Sequence, residues 1–255
     1  MPSAVLIVAS TRVHADPQEI LRIQDTVAAL REQGRAVDVL VPRIAPLLTA
    51  TLDPAARIFT IPRIPFTDDP PRRPSIRRFI LATIMFFRGV ALAARRDYAV
   101  LHGFNDGALV ARAIDRGTVH RYPYIAEIHR PLSTPGFFKG PRAAIARHLE
   151  LSTLRHASAI ILPDASSISG FGSSLPKARV SIIPDPHAEI SPDAFTFAEF
   201  SLAIEHIYDY VLRPIPEKKE PWPRKKAKLK RTPTWRRRRN PSAGCDMRHG
   251  SPWQS

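Results

Sequence analysis

The chain has 255 residues, 44% of them hydrophobic and 24% charged, which supports a real core and excludes a wholly disordered chain or a polytopic membrane protein. Its formal charge of +15 is uneven: 14 Lys/Arg and 3 Asp/Glu fall between Arg213 and Ser255, so +11 belongs to the tail and the body is only mildly basic. The single cysteine, Cys245, excludes an internal disulfide and a cysteine-based zinc site.

Ala4 to Ala9 is a short unbroken apolar run, the pattern of a strand buried on both faces of a parallel sheet. Pro17 to Gln33 reads as a helix, with Ile20, Ile23, Val27 and Leu30 three and four apart and Gly34 at the C-cap. Ala36 to Val41 is the next strand, closed by Pro42. These pieces make one βαβ unit with a right-handed crossover. Pro42 to Pro74 is proline-rich and irregular, with a short strand at Ile58 to Ile61. Ile76 to Arg96 follows as a helix, then a strand from Asp97 to His102, a helix from Asp106 to Arg116 and a strand from Tyr124 to His129. A helix over Pro141 to His156, a strand over Ala157 to Leu162 and a last strand over Val180 to Ile183 complete the alternation. The pattern predicts an α/β fold over residues 1–185: a single doubly wound parallel-sheet, Rossmann-like domain.

Thr196 and Glu199 form a capping box. The helix it opens runs to Leu212, with Phe197, Phe200, Ile204, Ile207, Tyr208 and Val211 along one stripe, which must be buried against something. Residues 186–195 are a short linker before it. From Arg213 onward there are seven prolines, Lys/Arg runs and no hydrophobic period, so this tail is expected to be disordered. It would attract nucleic acid or anionic lipid without specificity. Its mix of Arg, Pro, Trp, Ser and Gly is also what a high-GC coding region gives when read out of frame.

The most apolar window, Phe79 to Phe87, is interrupted by Arg88 and flanked by Arg72, Arg73, Arg77 and Arg78. Two readings stand: a buried helix, or a helix lying on a membrane surface. The start of the chain lacks a basic leader and a cleavage site. A cytoplasmic location is expected, with peripheral contact at the inner membrane face on the second reading.

Chemistry is sought where strands end. No Walker A sequence occurs and no glycine loop follows the first strand; Gly170 and Gly172 lack the third glycine of a dinucleotide fingerprint. His129 follows Glu127 at a strand end, and alternation puts both side chains on one side. Such a histidine can be a general acid or base, can orient a phosphate or hydroxyl, or can be a hydrogen-bonded structural group. His102 and Asn105, at the end of an earlier strand, carry a weaker form of the same argument. No metal-ligand spacing is present.

The ordered pieces Val5–Pro17, Val37–Pro42, Tyr98–His102, Pro123–His129, Glu150 with His156–Pro163, and Val180–Asp185 together resemble the N-terminal domain of family 4 retaining glycosyltransferases, which have the GT-B fold. That resemblance implies transfer of a glycosyl group from a sugar nucleotide to a glycan, lipid or small-molecule acceptor. The sugar nucleotide is a donor substrate; no cofactor and no metal is implied. By the same resemblance His129 is the catalytic candidate at the interdomain cleft, bordered by Glu127 and Arg130, with Arg12 and Asp16 in the first loop facing the same cleft. His102 and Asn105 join these as substrate-binding candidates. The family's donor domain, with its Glu-x7-Glu motif, has no counterpart: only ten residues separate Asp185 from Thr196, and no glutamate has another eight positions on. The helix from Thr196 to Leu212 resembles the family's final helix, which packs back on the first domain. A truncated, inactive transferase is therefore the expectation. The alternatives are a noncatalytic protein binding a glycan through the domain or an anionic surface through the tail, and another Rossmann-like enzyme with a small-molecule substrate.

Overall fold

A computed structural model describes residues 4–9, 17–42, 54–61, 76–119, 121–129, 141–164, 171, 175–176, 179–186 and 195–213. The expected tail disorder, the linker at 187–194, and Gly170 and Gly172 lie outside them. The described residues all belong to one compact unit, within Met1–Arg213.

Seven strands, β1 (Ala4–Ala9), β2 (Ala36–Pro42), β3 (Arg57–Ile61), β4 (Tyr98–Phe104), β5 (Tyr124–Glu127), β6 (Ala159–Leu162) and β7 (Val180–Ile182), form one sheet in the order β3-β2-β1-β4-β5-β6-β7. Every neighbouring pair is parallel. Among the described residues five helices cover it: α1 (Pro17–Glu32), α2 (Ile76–Ala93), α3 (Gly107–Gly117), α4 (Pro141–His156) and α5 (Phe197–Leu212). The strand order reverses direction between β1 and β4, which makes the fold doubly wound and Rossmann-like.

The core lies on both faces of the sheet. Leu6, Val8, Leu40 and Leu101 meet Leu81, Met85, Ile114 and Leu154 of α2, α3 and α4. Val5, Ile7, Val39 and Ile125 meet Ile23, Val27 and Leu30 of α1 and Phe200, Ile204 and Tyr208 of α5. All six residues of β1 are buried, as its unbroken apolar run requires. Each fully buried Val, Leu or Ile stabilises by about 1.5–3 kcal/mol.

Sequence punctuation sets the ends. Gly34, at φ +72°, lets the Arg35 N–H turn back to the Leu30 carbonyl and end α1. Thr196 caps α5: its hydroxyl accepts from the Glu199 N–H, and the Glu199 carboxylate accepts from the Thr196 N–H. Hydrogen bonding to Thr196 draws the Glu199 carboxyl below its usual value. α2 ends at Ala93, not Arg96, because residues 94–96 form a turn on the Val90 and Leu92 carbonyls. Among the described residues no helix is long and apolar enough to cross a membrane.

Candidate functional site

β4 and β5 bring their carboxyl ends side by side, with Phe104 opposite Glu127. Alternation along β4 turns His102 and Phe104 to the face covered by α1 and α5; the His102 ring stacks on Phe104 at 4.7 Å. Glu127 is the last residue of β5 on the same face. Into this corner α1 projects Arg22 and α5 projects Tyr208, and all four polar side chains, Arg22, His102, Glu127 and Tyr208, are completely buried.

Glu127 is the hub. Arg22 Nε donates to its Oε1 at 2.6 Å, and His129 Nε2 lies 2.9 Å from the same oxygen. His102 Nε2 lies 3.1 Å from Oε2, close enough to feel the charge but off the line of a hydrogen bond, and neither atom has a better partner. Burial alone would raise the Glu127 carboxyl; the Arg22 guanidinium and the imidazoles of His102 and His129 beside it outweigh burial and hold the group well below the usual carboxylate range. An ionised carboxylate only accepts. Both Nε2 atoms therefore carry the protons that face it. In the neutral ring, His102 Nδ1, 2.8 Å from the Tyr208 hydroxyl, then accepts from that phenol. Burial and the nearby Glu127 charge push the Tyr208 phenol well above its usual value, so its proton stays in place.

Arg22 also ties down the chain beyond β7, donating to the Pro184 and Ile183 carbonyls at 2.6 and 3.1 Å. Its guanidinium lies 4.3 Å from the centre of the Phe200 ring. One arginine thus joins α1, β5, α5 and the exit from the last strand.

His129 alone of this group reaches solvent, with 15% of its side chain exposed. Its backbone N–H donates to Asn105 Oδ1 at 2.9 Å. That side-chain bond ends β5 at Glu127, two residues before the strand end read from the apolar pattern. Asn105 sits at φ +48°, a left-handed conformation that asparagine tolerates better than most residues. Its N–H bonds the Glu127 carbonyl at 2.7 Å and its amide nitrogen donates to Glu19 at 2.8 Å. In the neutral ring, His129 is left with a lone pair on Nδ1. It can accept a hydrogen bond or proton from a hydroxyl, or as the cation donate to a phosphate oxygen.

The sequence candidates are therefore sorted by depth. Glu127, His129, His102 and Asn105 are brought together. His102 and Glu127 are completely buried and face other side chains. Asn105 holds the His129 backbone. Arg12, Asp16 and Arg130 lie outside the described residues. Arg22 and Tyr208 are additions that the sequence pattern hid. Arg22 and Thr26, four apart and both buried, flank the apolar stripe of α1; that polar pair inside a buried arc was the available signal. Tyr208 belongs to the α5 stripe, where its ring is the visible feature and its hydroxyl is not. Among the described residues no group of three or more His, Cys, Asp or Glu is arranged to hold a metal ion.

Comparison with known proteins places this geometry. No curated protein matches the sequence. Among solved structures, one form of a sucrose-phosphate synthase from Thermosynechococcus elongatus matches with TM-score 0.54 at 15% identity, covering 82% of this chain and 97% of that one. A longer form of the same synthase matches at 0.53 and 15% identity over 72% of this chain and 48% of that one. Arabidopsis thaliana UGT89C1 complexed with UDP matches at 0.50 and 13% identity over 80% and 56%. The chain thus spans about half the length of the latter two. These likenesses establish the fold, that of the first half of a GT-B glycosyltransferase. The glycosyl transferase 4-like domain matches residues 21–186, most of the chain and nearly all of the sheet; the protein belongs to that family.

Proposed function

We propose that this chain is the acceptor-side half of a retaining glycosyltransferase, whose parent reaction moves a glycosyl group from a sugar nucleotide to a glycan, lipid or small-molecule acceptor. The observation that carries the reading is the solvent-reaching His129, held by a buried anionic Glu127 at the carboxyl edge of the sheet. Ligands of doubly wound sheets bind beyond that edge. Transfer breaks the bond from the anomeric carbon to the diphosphate oxygen, forms one to the acceptor oxygen, and passes the acceptor's proton to the departing diphosphate. His129 Nδ1 is suited to accept a hydrogen bond from that hydroxyl and so orient it. Glu127 fixes the ring, His102 and Arg22 fix Glu127, and Tyr208 fixes His102. The UDP held by the Arabidopsis structure supports a nucleotide-linked donor.

The leaving diphosphate needs preorganised positive groups, which the donor domain supplies in the family. Within these 255 residues ten positions separate Asp185 from Thr196, far too few for such a domain. The isolated chain is accordingly proposed to be inactive. Two assays test the reading. Nucleoside diphosphate release from UDP-glucose and UDP-N-acetylglucosamine should match the blank; robust turnover would sink the half-enzyme assignment. On an array of glycans and glycolipids the chain should bind selectively, and His129→Ala should lose at least tenfold. Equal binding by the variant, or none by the wild type, overturns the acceptor role.

A further inference from the structure

α2 has a buried face and an exposed one. α2 buries Leu81, Met85, Leu92 and Ala93 against the sheet and α3. Its outer side carries Phe79 at 72%, Phe87 at 64% and Ile80 at 41% exposure; spaced one and seven apart, they share one side of the helix. Between them the Thr83 hydroxyl donates to the Phe79 carbonyl at 2.8 Å, so it offers the stripe no outward donor. The Phe86 ring, 5.1 Å from that of Phe87, supports it from the inner side. From Pro70 to Arg96 the sequence holds seven arginines and no acidic residue or lysine. Of these, Arg88 and Arg95 are exposed, and Arg96 is engaged with Asp38.

We propose that the outer face of α2 docks on an anionic lipid bilayer, with Phe79 and Phe87 entering the boundary between headgroups and acyl chains and Arg88 and Arg95 among the headgroups. Three features select this occupant. Aromatic side chains beside arginines, with no carboxylate, are the composition of an interfacial helix. The three exposed side chains offer roughly 350 Å², taking ~150–250 Å² for a whole aromatic, well short of the ~800 Å² per partner of a stable protein interface. A bilayer needs no such area, because each arginine near an anionic surface adds about fivefold to affinity. The orientation also fits a lipid-bound acceptor. Arg96, just past α2, reaches Asp38 near the start of β2, so α2 ends at the amino edge of the sheet and Phe79 lies toward the carboxyl edge, as His129 does. That last point rests on the transferase reading; the docking itself does not, since vesicle binding is measured without a sugar nucleotide.

The test is flotation of the full chain with vesicles of phosphatidylcholine alone or with 30% phosphatidylglycerol, in 0.15 M and 0.5 M NaCl. Binding to the anionic vesicles is expected, with Phe79→Ser/Phe87→Ser weakening it at least tenfold at both salt concentrations. Phe79→Leu/Phe87→Leu should stay within threefold of wild type. Arg88→Glu/Arg95→Glu should lose at least tenfold at the lower salt. The proposal is overturned if the serine pair binds like wild type, which would assign binding to the basic tail. It is overturned equally if the leucine pair loses as much as the serine pair. Sedimentation velocity supplies the third arm: a dimer that the serine pair dissociates in the absence of lipid would make a second copy the occupant.

Discussion

The sheet buries two carboxylates, one at each edge, and surrounds them differently. Asp38 sits near the amino edge. Arg57 donates to both of its oxygens at 3.0 Å, Arg96 reaches both at 2.8 and 2.9 Å, and the Tyr98 hydroxyl adds a bond at 2.7 Å. Both arginines keep contact with water, at 58% and 29% exposure. Glu127 sits at the carboxyl edge with a completely buried arginine, one imidazole off the hydrogen-bond line and one imidazole open to solvent. The first carboxylate is saturated and finished. The second leaves one partner facing outward. Ion clusters of similar composition thus close on themselves at one edge and leave one ring open to solvent at the other.

Four experiments would break or sharpen this contrast. The largest effect is expected from Glu127→Ala, which strands the Arg22 guanidinium in the interior: about 3–5 kcal/mol lost in urea unfolding. Asp38→Ala should cost less, about 1–3 kcal/mol, because Arg57 and Arg96 can turn to water. Equal losses would erase the distinction. Acid sensitivity should divide the same way. The folded Glu127 carboxyl lies well below its unfolded value of about 4.3, so its contribution is present above that pH and is lost as pH falls through the folded value. Glu127→Gln should be less stable at pH 7 yet show a flatter acid limb; an unchanged limb would remove Glu127 from the account. Third, the Tyr98 hydroxyl donates to a carboxylate and that of Tyr208 to an imidazole. Tyr98→Phe should therefore cost about 1.5–3 kcal/mol and Tyr208→Phe about 0.5–1.5 kcal/mol. Nitrogen NMR of the His129 ring should also change in Tyr208→Phe and stay fixed in Tyr98→Phe. The smallest effect belongs to Asp209→Ala, which removes the exposed pair with Arg35 and should cost about 0–1 kcal/mol.

What the sequence reveals of these two edges follows from the signals that periodicity carries. The strands and helices are legible because buried parallel strands are apolar runs and their crossover helices have apolar stripes. The pairing of Glu127 with His129 is legible because alternation places i and i+2 together. The Asp38 cluster is hidden, since its partners come from three separate elements and no local pattern joins them. Arg22 is hidden because a stripe analysis assigns every arginine to the solvent face. β4 runs on to Phe104, past His102, as its Gly103 and Phe104 pair with β5. β5 stops early because a side-chain cap from Asn105, 24 positions away, replaces its next ladder partner. Such long-range substitutions have no local sequence signature.

α5 lies against α1, although six of the seven strands separate them in sequence. Gln33 donates to the Ser201 carbonyl, Arg35 pairs with Asp209, and Tyr208 reaches His102, over 106 to 174 positions of sequence. During synthesis the sheet can assemble as its strands emerge, since domains begin folding from the amino end. Its α1 face, however, keeps an open apolar strip until residue 212 is free of the ribosome. The His102 ring gains its phenol partner only then, so the buried corner around Glu127 is completed among the last events of chain growth. A ribosome-stalled chain ending at residue 195 should accordingly be captured by chaperones that recognise exposed apolar surface, and one extended well past residue 213 should be released.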